Sequence, residues 1–196
     1  MIRYTIDMVD EVWREKIRMI RHATTPLVER ATYKTGSISD AAMYYLWTLC
    51  KRISPTHIVE IGTFIGNSTA VLANYGLNVY TCDKDNDCLN GTDIIHPFPK
   101  TTSTQMLWEL VQKGVKADLF FFDGRIQPPD LALILRLSHP MTAYVFDDYE
   151  RVEKGVVNVR LLFPYLLHHT LILPPERVAD YESRTSIACL MPKEWV

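Results

Sequence analysis

Between residues 8 and 20 the apolar positions Met8, Val9, Val12, Trp13, Ile17 and Ile20 recur at three- and four-residue steps. Arg14, Glu15, Lys16 and Arg18 fill the gaps, which predicts an amphipathic helix. A second helix is expected from Ser37-Ile-Ser39-Asp40, where a hydroxyl can accept a free backbone N–H, to just before Pro55. It would turn Met43, Leu46, Trp47, Cys50 and Ile53 inward. Together these helices predict an N-terminal helical cap over residues 1–55.

After Pro55 the rhythm changes to short apolar runs separated by helical segments, the pattern of a parallel sheet covered on both faces. Strands are predicted at 57–61, 78–82, 93–96, 117–122, 143–146, 169–173 and 186–191. Helices are predicted at 67–75, 103–113, 129–138 and 153–167, with Gly76 and Gly114 as C-terminal stops and Pro164 kinking or ending the last. The final two strands lack a helical connection, which suggests an antiparallel pair at the end of an otherwise parallel sheet. The expectation is one α/β domain of 196 residues: a Rossmann-like core over 56–196 with seven strands, the last antiparallel, beneath the cap.

Composition narrows the functional classes. A net charge of −2 leaves no positive excess for a phosphate backbone, so nucleic acid is not an expected partner. Four cysteines without a C-x-x-C pair suit neither a disulfide scaffold nor a zinc site. Acidic Asp7 and Asp10 interrupt the start of the chain, and no window approaches the roughly 18 apolar residues that span a bilayer. A cytoplasmic protein without a membrane partner is expected.

Open α/β sheets bind ligands beyond the C-terminal ends of their strands. The first strand leads into Glu60-Ile-Gly62-Thr63-Phe64-Ile-Gly66-Asn-Ser68-Thr69, where two glycines let the backbone pass close to a ligand, or merely make a tight turn. Phe64 would either close over a ligand or join the core. Asp83 ends the second strand 23 residues beyond Glu60, a spacing that suits a carboxylate accepting ribose hydroxyls; it could equally face solvent beside Asp85 and Asp87. Neither G-x-G-x-x-G nor Gly-Lys-Ser/Thr occurs, which argues against a dinucleotide fingerprint and a P-loop.

Taken in order, these segments resemble the class I S-adenosylmethionine-dependent methyltransferases, and most closely the small catechol and caffeoyl-CoA type O-methyltransferases and their bacterial relatives. The resemblance covers about residues 58–149. Glu60 to Thr69 is similar to that family's segment of acid, aliphatic, glycine and aromatic ending in Gly-x-Ser, and Tyr80-Thr-Cys-Asp83 to its strand ending in the ribose acid. Thr102-Ser103-Thr104 falls where the family places residues beside the adenine. The resemblance implies S-adenosylmethionine held by Glu60, Gly62, Thr63, Phe64, Gly66, Ser68, Asp83, Ser103, Thr104 and Asp123, and methyl transfer to an oxygen of a small-molecule acceptor.

Asp123, Asp147 and Asp148 fall on the positions that hold a divalent cation in the metal-dependent members, which implies Mg²⁺ there, with Asp123 and Asp148 as catalytic residues. The sequence departs from that pattern at Ile126, where the family carries Lys or His, and at His139-Pro140-Met141, which replaces Gly-Gly. Arg125 stays protonated and cannot act as a base in its stead. Two other readings stay open: a non-catalytic binding or regulatory protein on the same fold, and a nucleotide-binding Rossmann-like enzyme of another class. His96, His168 and His169 read as surface or capping residues; Tyr44, Tyr45 and Trp47 as helix packing; and Arg151 and Lys154 as a solvated face. An exposed apolar patch on the cap or over 163–167 would suit a homodimer.

Overall fold

A computed structural model describes residues 2–3, 38–85, 91–150, 152–174 and 185–196. The expected helix at 8–20, Cys88 and Arg151 lie outside the described residues. The elements run in the order β1 (Ile2–Arg3), α1 (Asp40–Ile53), β2 (His57–Ile61), α2 (Asn67–Ala73), β3 (Asn78–Asp83), β4 (Ile95–Pro99), α3 (Ser103–Gln112) and β5 (Leu119–Phe122). They continue with α4 (Asp130–Leu137), β6 (Ala143–Phe146), α5 (Lys154–Leu162), β7 (His169–Leu173) and β8 (Ala188–Pro192).

The helix starts follow local chemistry. Ser39 caps α1 by accepting from the Ala42 N–H at 3.1 Å. Thr102 and Gln105 form a reciprocal capping box at α3. The last long helix is shorter than expected: α5 stops at Leu162 and a 3₁₀ turn carries Phe163–Tyr165, because Pro164 has no N–H to continue the ladder.

The strands form one sheet in the order β1-β7-β8-β6-β5-β2-β3-β4. Every pairing is parallel except those of β8, which runs antiparallel between β6 and β7. Among the described residues the seven expected strands are joined by an eighth at the edge, since Ile2–Arg3 pairs with β7 at Ile172 and Leu173. A two-residue edge strand has no periodicity to read. β4 also lies further along than expected, over Pro97 and Pro99, which an edge strand accepts because one row of its N–H groups needs no partner.

β5 shows why the central strands read as continuous apolar runs. Phe120 and Phe122 pack with Leu107, Leu110, Ile134, Leu137, Val159 and Leu162 under α3, α4 and α5. Leu119 and Phe121 face the other way, toward Met43, Leu46 and Cys50 of α1 and Leu72 of α2. Phe122 stacks on Phe146 with ring centroids 5.1 Å apart, aligning neighbouring strands. Among the described residues no helix is long and apolar enough to cross a membrane.

The sheet order reverses direction at β2, which lies between β3 and β5. Ile61 pairs with Cys82 and with Phe122, and Phe122 with Phe146. Gly62, Asp83, Asp123 and Asp147 therefore leave the sheet side by side along one edge, at the topological switch point.

Candidate active site

The turn after β2 is shaped by close backbone approach. Ile61 offers its carbonyl to the N–H groups of Asp123 and Gly124, at 2.9 and 2.7 Å, so the ends of β2 and β5 touch. A Cβ on Gly62 would stand 2.8 Å from both Asp123 C and Gly124 N, and its φ of +100° lies in the region that favours glycine. Gly66, with φ +85°, starts α2 and donates its N–H to the Thr63 carbonyl at 2.8 Å. Phe64 holds a left-handed φ of +47°, and its N–H donates to Asp83 Oδ2 at 2.8 Å. The other carboxylate oxygen of Asp83 accepts from the Asp85 N–H. Asp83 thus fixes the conformation of the glycine turn from the neighbouring strand.

Glu60 lies beneath this turn with no exposed surface. Its carboxylate accepts from Ser68 Oγ at 2.5 Å, from Thr81 Oγ1 at 2.6 Å and from Thr69 Oγ1. Thr63 and Thr81 share a further bond between their hydroxyls. Burial pushes the Glu60 carboxyl up to about 7, against the three hydroxyl bonds, which favour its ionised form. Glu60 and Ser68 face each other and lock α2 onto β2 and β3.

A similar tie organises the next wall. Asp130, fully buried at the start of α4, accepts from Ser103 Oγ at 2.6 Å and Thr104 Oγ1 at 2.5 Å, and from the Gln127 N–H at 2.9 Å. The hydroxyls expected beside an adenine are thereby drawn toward α4, and their carboxylate partner was not foreseen from the sequence. Its signal was Pro128-Pro129-Asp130 at a predicted helix start.

The three acids at the ends of β5 and β6 lie close enough to act on one another's charge, and two of them hold an ammonium between them. Lys154 Nζ lies 2.6 Å from Asp123 Oδ1 and 3.1 Å from Asp148 Oδ2. Burial opposes the lysine's charge, but the two carboxylates outweigh it and raise its pKa. Asp123 is raised well above the usual carboxylate range by burial and by the charge of Asp147, with Lys154 acting against both. Asp147 is pushed up to about 6 by burial and by Asp148, and its Oδ1 accepts from Ser186 Oγ at 3.2 Å. These residues do not fit the expected Mg²⁺ site, because two of the three acids are already bonded to a cation. Among the described residues no group of three His, Cys, Asp or Glu is placed to hold a metal.

No family model and no curated protein matches the sequence. Among solved structures the chain resembles an O-methyltransferase from Bacillus cereus in complex with SAH, with a TM-score of 0.62 and 17% identity over 93% of this chain and 91% of that one. It also resembles the O-methyltransferase TomG from Streptomyces achromogenes, involved in tomaymycin synthesis and in complex with SAM. Here the TM-score is 0.61 and the identity 17%, over 93% of this chain and 90% of that one. The chain has the class I methyltransferase fold.

On that fold the glycine turn, the Asp83 strand end and the three acids are gathered at one edge, while Ile126 is withdrawn from it. Ile126 is 6% exposed and packs in the core, and its N–H donates to Asn158 Oδ1 at 3.0 Å. Asn158 Nδ2 donates to the Gly124 carbonyl at 2.9 Å, so one buried side chain holds both ends of the post-β5 loop. Neither Asn158 nor the inward reach of Lys154 was read from the sequence. Both lie on one face of α5, four residues apart, a spacing recognisable only once the partner loop is known. Trp47 packs edge-on to Tyr75 and Tyr45 contacts Cys189, while His96 pairs with Asn78. His169, expected at the surface or as a cap, is instead buried at the start of β7, where it pairs with the Thr142 carbonyl.

Proposed function

We propose that this protein is an S-adenosylmethionine-dependent methyltransferase that methylates an oxygen of a small-molecule acceptor. The observation that carries the proposal is the glycine turn locked by Asp83 at the switch point of a methyltransferase fold, in a likeness that includes structures holding SAH and SAM. The cofactor would supply an electrophilic methyl group: an O–C bond forms as the S–C bond breaks, and the acceptor hydroxyl loses its proton.

Each residue then has a defined task. Gly62 to Gly66 bring backbone close to the methionyl end, and Glu60 with Ser68 holds that turn in shape from beneath. Asp83, at the end of β3 beside the turn it holds through the Phe64 N–H, accepts ribose hydroxyls. Ser103 and Thr104, fixed by Asp130, border the adenine. Asp148, with 31% of its side chain exposed against 11% for Asp123, is the acid better placed to take the acceptor's proton.

Calorimetric titration with S-adenosylhomocysteine tests the cofactor site. One-site binding is expected, weakened by about 1 to 3 kcal/mol in Asp83→Ala through loss of charged hydrogen bonds. Asp83→Asn keeps an acceptor for the Phe64 N–H, and a weakening there separates ligand contact from turn geometry. Wild-type affinity in both variants would overturn the assignment.

A further inference from the structure

The acids at the ends of β5 and β6 meet a cation that belongs to the chain, and its place is built. Lys154 opens α5, and three contacts fix that helix end over the strand edge. Gly155 has no room for a side chain, since a Cβ would stand 2.1 Å from the Asp147 carbonyl oxygen. One turn on, Asn158 grips the Gly124 carbonyl and the Ile126 N–H. Val159 and Leu162 then anchor the helix in the core. These contacts fix the backbone from which the Lys154 side chain reaches the strand ends.

An ammonium carries three N–H donors. Two point at Asp123 and Asp148, and the third meets no acceptor among the described residues. The Lys154 side chain keeps 25% of its surface exposed, so this donor is open to a ligand on the strand edge.

We propose that the Lys154 ammonium is a tethered replacement for the divalent cation: it binds the acidic strand ends in the cation's stead and donates its remaining N–H to the acceptor oxygen. The acceptor role rests on the methyltransferase reading above; the exclusion of metal does not. A single N–H donor holds one hydroxyl or anionic oxygen, whereas a divalent cation with open positions can chelate two. The matching acceptor class is therefore a lone hydroxyl, phenolic or carboxylate oxygen, and not a vicinal diol requiring chelation.

Mn²⁺ serves as the probe, titrated by calorimetry into wild type, Lys154→Met, Lys154→Arg and the double variant Lys154→Met/Asp148→Asn. Wild type and Lys154→Arg should exclude Mn²⁺. Lys154→Met, stripped of its counter-charge, should bind it about a hundredfold more tightly than wild type, and the double variant should lose that gain. If Lys154→Met folds only with Mn²⁺ present, a rise in its unfolding temperature with added Mn²⁺ reports the same gain. Tight Mn²⁺ binding by wild type, or no gain in Lys154→Met by either readout, would overturn the inference. Titration with S-adenosylhomocysteine in the same preparations keeps the two proposals apart. Wild type that binds it together with Mn²⁺ refutes only the tethered cation. Wild type that binds neither refutes the methyltransferase reading and, with it, the acceptor role of Lys154.

Discussion

Glu60 has no exposed surface, and its carboxyl is pushed up to about 7 from an ordinary 4.5, burial outweighing three hydroxyl bonds. The folded state therefore keeps a proton that the unfolded chain releases. The stabilisation is complete below 4.5 and is lost as pH rises to about 7, a total of about 3 kcal/mol at 1.4 kcal/mol per pH unit. Glu60→Gln, which stays neutral and still bonds to hydroxyls, should be as stable as wild type at pH 4.5 and about 3 kcal/mol more stable at pH 8. Urea unfolding at both pH values checks this, and an equal difference at the two would contradict it. The neighbouring strands that carry Glu60 and Asp83 were legible from the apolar runs, but the direction in which Glu60 faces was not. Its hydroxyl partners Ser68, Thr69 and Thr81 come from α2 and β3, and only the packing of those elements points them at one carboxylate.

At the scale of elements, the apolar runs disclosed the central strands because burial on both faces removes polar residues from them. β2, β6 and β7 lie where the sequence placed them, at His57–Ile61, Ala143–Phe146 and His169–Leu173. Edges were harder: β4 runs through two prolines that signal a break anywhere but at an edge. For α5 the start was legible to within a residue, but not which side chains its first turn aims at the loop after β5. Asn158 makes that contact without exposed surface, so Asn158→Ala would leave the Ile126 N–H and the Gly124 carbonyl without their partner. A loss of about 3 kcal/mol is expected. Val157→Ala, on the exposed side of the same helix, should change stability by no more than about 0.5 kcal/mol. Comparable losses in the two variants, measured by urea unfolding, would show that the loop is not held in this way.

At the scale of the whole molecule, the reversal of sheet order at β2 and the common register of Ile61, Cys82, Phe122 and Phe146 bring glycine turn and acids to one edge. The alternation of strand and helix made that gathering foreseeable. The sequence could not show that two of the acids are paired from within, because Lys154 reads as an ordinary surface lysine until α5 is laid across the strand ends. Thermal unfolding with S-adenosylmethionine, S-adenosylhomocysteine and NAD in turn tests whether this edge binds an adenosyl cofactor. At about 100 times its dissociation constant each adenosyl compound should add about 2.7 kcal/mol, raising the midpoint by a few degrees, while NAD leaves it unmoved. An unchanged midpoint with both adenosyl compounds, or a rise with NAD alone, would contradict the account.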